Sequence, residues 1–452
     1  MSSVQQTSIV RTKPLMSMPQ ILIMNLGFFG IQYSFGMQQT AVNPVYEFLG
    51  ANPHDLPILN LAGPITGLLI QPLIGALSDR TWSPRWGRRK PFFLVGALGC
   101  SVCLFLFPFV TAVWMAVILL WLLDASNNTA MEPYRAFIAD KLPPSQLGKG
   151  FLAQSFFTGL GITLANVSLF VFQKFIEGGT AAGIPYWVLG SFMLGAVCSI
   201  TSVLISVLRT PEIPPSAEEL AALRAKKGGF GPAVKEIGEA IRDMPTQLRK
   251  LALVYFFQWY GMVCYWQFIA LTVAQELFPQ TQEGKEEAVA WTGLINGWYN
   301  IVTFSVAFAL VAFAKKRGAK LVHCVCLLLA AIGLMIVPSL DNQYLIFIPM
   351  IGLGIAWASI MGVPYIMAVR MIPSTRFGVY MGIINMMIVV PMLIQSVTFG
   401  WLFEHLLGGN PSNAIRFAAV FLAIAGVLML WIKEPRMVRD VDDVSAMPMA
   451  GH

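Results

Sequence analysis

The chain has 452 residues, of which 56% are hydrophobic and only 12% charged, and its formal net charge is +7. A soluble domain carries about 25% charged residues, so most of this chain belongs in a lipid bilayer. That excludes a soluble enzyme, a secreted disulfide scaffold and a nucleic-acid binder inferred from basicity. The six cysteines, Cys100, Cys103, Cys198, Cys264, Cys324 and Cys326, lie in or beside apolar runs. With no CxxC pair near a histidine they read as small packing residues rather than bridges or metal ligands.

A helix needs about 20 apolar residues to cross a hydrocarbon layer of ~30 Å. Six such runs fall at 19–48, 57–78, 92–110, 112–139, 150–173 and 185–208. Six more fall at 251–278, 289–314, 321–339, 344–369, 377–404 and 412–432. The polar first eighteen residues lack the pattern of a cleaved signal peptide, and no strand-like alternation suggests a barrel.

With both termini and every even-numbered loop on the cytoplasmic side, 26 of the 30 Lys and Arg lie there. This is the positive-inside pattern, so the basic balance reports topology rather than an acidic partner. The longest polar stretch, 209–250, separates residues 1–208 from 251–452 and contains two short amphipathic helical patterns. The halves echo each other: Pro133-Tyr134, Pro144-Ser145 and Gly148 recur as Pro364-Tyr365, Pro373-Ser374 and Gly378. The expected fold is therefore an all-α membrane protein with twelve transmembrane helices in two six-helix halves, the architecture of the major facilitator superfamily.

Ionisable groups inside a span are expensive and point to function. Span 4, WLLDASNNTAMEPYRAFIAD, carries Asp124, Glu132 and Arg135. Asp124 falls near mid-bilayer. Arg135, eleven residues on, returns to nearly the same helix face about 16 Å nearer the cytoplasm, too far for a direct ion pair. Glu132 is the natural local partner of Arg135, and Pro133 should bend the helix. Burial without a cation favours the protonated form of Asp124, so this group can take up and release a proton. The competing reading makes Asp124 a hydrogen-bonding tie between helices. With no cluster of oxygen ligands, a proton is the expected coupling ion, and neither a metal nor a cofactor is expected.

The loop after span 2, GALSDRTWSPRWGRRKPF, gathers Asp79, Arg80, Arg88, Arg89 and Lys90. Asp140, at the cytoplasmic end of span 4, can pair with one of these arginines when the inner gate is shut. Asp79, Arg80, Arg88, Arg89, Glu132 and Asp140 are the candidate gating groups. A neutral polyol site needs hydrogen-bonding amides and aromatic faces along a wet cavity. Span 1 offers Gln32, Tyr33 and Gln38, and span 4 offers Asn127 and Asn128. Span 7 offers Gln258, Trp259, Tyr260, Trp266 and Gln267, span 8 Asn296 and Asn300, and span 11 Asn385. Singly, each of these could be packing glue. The histidines His54, His323 and His405 show no metal-ligand spacing.

At these residues the sequence resembles the sucrose and maltose proton symporters of plants, with animal and bacterial relatives, a subgroup of the major facilitator superfamily. GIQYSFGMQQTAVNP is similar to the family's first span, with Gln32 and Gln38 in place. GPITGLLIQPLIGALSDR running on to RWGRRKPF is the most specific match. Asp124, Asn127, Asn128, Pro133, Arg135, Ala136 and Asp140 match in span 4, and Gly378, Gly382, Asn385, Ile388, Val389 and Pro391 in span 11. The resemblance implies that Asp124 carries the proton and that Arg135 holds or gates the substrate. Glu132 departs from the family's usual glycine, and span 7 lacks the Asp and Arg common in plant members. The expectation is a plasma-membrane carrier, monomeric in the bilayer, that imports a disaccharide with protons by alternating access. The alternatives are an uncoupled facilitator or exporter of the same fold, and a sugar sensor without flux. A membrane enzyme would need paired acids or a nucleophile–base set, which the spans do not offer.

Overall fold

The computed structural model describes residues 13–214, 218, 221, 238–371 and 377–433. Each expected span is a helix, though the first is broken. It comprises α1 (Met18–Asn25), α2 (Gly27–Thr40) and α3 (Val42–Phe48). Asn25 spends its side chain on the carbonyl of Ile21 at 2.8 Å, beside the first break, a local bond that competes with the helix ladder. The short α4 (Leu56–Leu59) leads into α5 (Ala62–Arg80), and α6 (Lys90–Leu106), α7 (Val113–Lys141), α8 (Pro144–Gln173) and α9 (Tyr186–Arg209) complete the first half. The second half holds α10 (Thr246–Leu277), α11 (Gln282–Arg317), α12 (Ala319–Ile336), α13 (Phe347–Met371), α14 (Phe377–His405) and α15 (Pro411–Met429).

Among the described residues, nine of these spans are apolar and long enough to cross a membrane on those grounds alone. The first, seventh and eighth spans are not among them. These three carry Gln32 and Gln38, Gln258 and Gln267, and Asn296 and Asn300. For the seventh the reason is position: α10 is buried around nearly its whole circumference, so its polar groups meet protein instead of lipid.

Helices pack mainly with partners in their own half: α6 on α7 and α9, α2 on α8 and α9, α10 on α14 and α15, α12 on α13 and α15. Across the halves, α8 lies along α11 and α14 lies along α4 and α5. Gly293 of α11 permits the first contact, because a Cβ there would collide with the Asn166 carbonyl oxygen of α8. The repeated prolines Pro133 and Pro364 both lie inside helices, α7 and α13.

The central segment is tied at each end of its length. Glu212 accepts hydrogen bonds from the backbone N–H groups of Arg88, Arg89 and Lys90 at 2.7, 2.9 and 2.9 Å. These are donors that the first turn of α6 cannot itself satisfy, and a carboxylate there also meets the positive end of the helix dipole. Gly87, at φ +78°, makes room, since a Cβ would meet the Glu212 carboxyl. At the other end, residues 238–242 are helical and Tyr380 Oη of α14 donates to the Ala240 carbonyl at 3.1 Å. The amphipathic pattern at 221–227 and the start of that at 234–242 lie outside the described residues, apart from Ala221.

Glu212→Ala should therefore release the start of α6. Amide exchange at residues 88–90 should accelerate roughly thirty-fold, corresponding to about 2 kcal/mol of lost protection; unchanged exchange there would contradict the capping role.

Candidate functional site

The halves enclose a passage whose two ends differ. The end bearing the central segment is here termed the segment end, and the opposite one the far end. Polar ties between the halves cluster at the far end and just below it. Lys285 Nζ lies 3.7 Å from a Glu47 carboxylate oxygen, and His54 Nδ1 lies 3.3 Å from Glu404. Asn43 Nδ2 donates to the Trp266 carbonyl at 3.5 Å. Deeper in, Asn296 Nδ2 donates to Thr40 Oγ1 at 2.9 Å, and Thr40 in turn donates to Asn166. Spans 1, 5 and 8 are thus joined through one hydroxyl.

Toward the segment end the inner face of α5 opens. A Cβ imagined on Gly63 would lie 3.4 Å from an Asp124 oxygen, whereas one on Gly67 or Gly75 would meet no atom within 4 Å. Arg135 is exposed while Asp124 is 4% exposed. The passage therefore reaches in from the segment end past Arg135 and closes at Asp124.

Asp124 lies eleven residues into α7, about 16 Å from the far end. Gly63 backs its carboxyl, and Gln38 reaches toward it with an amide nitrogen still short of hydrogen-bond geometry. Among the described residues no Lys, Arg or His pairs with it. Met131 and Arg135 continue the same helix face, with Arg135 Nη2 3.7 Å from Met131 Sδ. Gln32 Nε2 approaches the same sulfur at 3.9 Å from α2. The structure thus brings Gln32, Gln38, Asp124 and Arg135 to one wall.

Other sequence candidates are placed in packing interfaces. Tyr33 is fully buried, its hydroxyl 2.8 Å from Ser168 Oγ and donating to the Ser191 carbonyl at 3.0 Å, so it faces α8 and α9. Asn127 donates to Ser34 at 2.8 Å and accepts from Cys100, binding α7 to α2 and α6. Asn128 donates to Thr66 at 3.1 Å and accepts from Gln71 at 2.7 Å, binding α7 to α5. Consecutive residues stand 100° apart on a helix, so Gln32 and Tyr33 cannot share one wall. Gln258 is paired with buried His323, whose other ring nitrogen meets Ser359 at 2.8 Å. Asn296 accepts from Tyr265 at 2.7 Å in addition to its tie to Thr40, and Asn300 donates to the Asn296 carbonyl at 2.8 Å. Asn385 is half-buried on α14.

The second half contributes an aromatic cluster. Trp259, Trp266 and Trp357 have ring centroids 5.3 to 6.4 Å apart, two of the pairs edge-on. Trp266 and Trp357 are half-buried. Trp357, ten residues into α13, and Gln267 and Gln395, each ten residues from the far ends of α10 and α14, all lie about 15 Å deep, level with Asp124. Trp357 and Gln395 escaped the sequence reading because neither belongs to a local motif in its apolar span.

The pairing expected of Asp140 is present: Arg89 Nε donates to it at 2.9 Å, and Arg89 Nη1 reaches Ser78 Oγ at 2.6 Å. It joins α6 to α7 within one half and exists with the segment end open, so in this state it holds a loop rather than a closed gate. Arg88 lies beside it, its Nε 3.4 Å from the Ser78 carbonyl. Burial lowers the Lys141 pKa, the Lys90 charge adds to that, and Glu212 opposes it. The side chains of Asp79, Arg80 and Glu132 lie outside the described residues. Among the described residues no group of His, Cys, Asp or Glu is arranged to hold a metal ion.

The model of the Major Facilitator Superfamily matches residues 24–396. Sucrose transport protein SUT5 of Oryza sativa subsp. indica is 24% identical, with 94% of this chain and 88% of that one covered. Sucrose transport protein SUC4 of Arabidopsis thaliana is 25% identical, covering 89% and 87%. The general alpha-glucoside permease of Schizosaccharomyces pombe is 26% identical over 67% of this chain and 54% of its own. Among solved structures, the nucleoside transporter NupG superposes with a TM-score of 0.67 at 12% identity, covering 92% of this chain and 98% of that one. A D-xylose-proton symporter does so at 0.65 and 16%, covering 91% and 97%.

The far-end ties should be individually weak, about 0.3–1 kcal/mol for a partly exposed pair. Glu47→Gln should then raise the far-open population only two- to five-fold, read as the distance between spin labels at Asn52 and Gln282; an unchanged distribution would show that this pair does not hold the far end shut.

Proposed function

We propose that this chain, which belongs to the Major Facilitator Superfamily, imports a neutral disaccharide of the sucrose or maltose type together with a proton. The observation that carries the reading is Asp124: a carboxyl buried at mid-depth, on the wall of the passage, with no cation paired to it among the described residues. A bare carboxylate in such a place costs several kcal/mol, and a proton removes that cost. The sugar class draws support from the sucrose transport proteins and the alpha-glucoside permease to which the chain is similar. The uncharged amides and indoles level with Asp124 suit a neutral polyol.

The 26 Lys and Arg on the N-terminal, even-loop and C-terminal segments support a cytoplasmic segment end. The state described is then open inward and tied shut outward. In the outward-open state Asp124 takes a proton and the sugar settles between the halves. The halves then rock about it, and the inward passage lets the sugar and proton leave past Arg135. Arg135, exposed in that passage, offers the departing sugar its guanidinium donors.

Asp124→Asn fixes the neutral form. In proteoliposomes it should keep sugar-for-sugar exchange within a few-fold of the parent but equalise sugar on the two sides instead of accumulating it. Proton-driven accumulation that survives the substitution would refute the coupling role.

A further inference from the structure

Gln267 of α10 and Gln395 of α14 form a buried amide pair, 3% and 0% exposed. Gln395 Nε2 donates to Gln267 Oε1 at 2.8 Å and also lies 3.6 Å from Cys264 Sγ. Two of their polar atoms have no partner: Gln267 Nε2 and Gln395 Oε1. Reversing both amides changes nothing essential, since the pair then leaves a donor on Gln395 and an acceptor on Gln267. A buried amide atom left unpaired costs about 1–3 kcal/mol, and here one donor and one acceptor are orphaned side by side.

The pair sits where the passage ends. Asn385, Ile388, Met392 and Gln395 form one stripe on α14, opposite the exposed stripe of Val390, Ile394, Val397 and Trp401. Asn385, Ile388 and Met392 are half-buried, so their exposure is toward the inside of the bundle, and Gln395 closes the row. Gln267 follows Trp266 in α10, so the two lie at one depth with the amide about 100° round the helix from the indole, which packs on Trp357.

We propose that Gln267 and Gln395 form a subsite for two adjacent hydroxyls of one sugar ring, with Trp259, Trp266 and Trp357 as the apolar wall for its C–H face. One hydroxyl accepts from the free amide N–H and its neighbour donates to the free amide oxygen. A vicinal diol presents that complement without charge, and no charged side chain stands among these five residues. The subsite rests on the disaccharide reading above and extends it: the second half recognises a pyranose by a diol, while Asp124 in the first half handles the proton.

The test is binding to the purified full chain, read by calorimetry, with sucrose, maltose and monodeoxy analogues of whichever binds. The parent chain should lose about tenfold in affinity for each of two analogues lacking neighbouring hydroxyls. Gln267→Met/Gln395→Met replaces both partners by apolar groups of similar shape, which a buried pair tolerates in folding. It should bind the intact sugar at least tenfold more weakly and no longer distinguish it from those two analogues. Discrimination unchanged in the double variant, or full affinity retained, overturns the subsite and leaves the disaccharide reading standing. If the double variant cannot be isolated, the parent chain decides, because indifference to every neighbouring pair of hydroxyls also overturns the subsite. A parent chain that binds neither disaccharide overturns the wider reading along with it.

Discussion

A carboxyl group held in the middle of a membrane protein with no cation beside it is the constraint on which the rest of this molecule turns. At Asp124 the solvent has been replaced by a glycine backbone, an incompletely engaged glutamine and apolar side chains. Such a site tolerates charge poorly, so the group is useful only where water and protons can reach it in some states and not in others. The asymmetry of the passage supplies that condition. The far end is held by side-chain ties between the halves, and the segment end lies open below Gly63.

The two halves divide the chemistry. The first keeps the ionisable residues, Asp124 and Arg135, about 16 Å apart on one face of α7. The second supplies uncharged amides and two indoles, Trp266 and Trp357, at the level of Asp124, with Trp259 packed against both indoles. Between them the central segment is fastened by Glu212 to the start of α6 and by the Ala240 carbonyl to Tyr380 of α14. Both anchors lie on the end that is open here, one on each half.

Much of the architecture was legible because lipid imposes a simple rule on exposed spans, and the repeated Pro-Tyr pair marked the two halves. The helix period placed Asp124 and Arg135 on one wall, and the loop motif anticipated the bond between Arg89 and Asp140. The residues that were misplaced have a common cause. Tyr33 stands 100° from Gln32, so only a helix's rotation in the bundle decides which one meets the passage, and Asn127 and Asn128 both turn to neighbouring helices. Gln395 and Trp357 carry no local signal: each gains meaning only when folding sets it beside Gln267 or Trp266. Conversely, the amides that lower the hydropathy of spans 1 and 7 mark helices whose polar groups are buried against protein.

Proton movement during sugar entry bears on the role of Asp124 most directly. In lightly buffered proteoliposomes held without a membrane potential, addition of sucrose or maltose outside should alkalinise the external medium as sugar enters, and a protonophore should abolish the signal. Sugar entering at the same rate with no change in external pH would contradict the coupling.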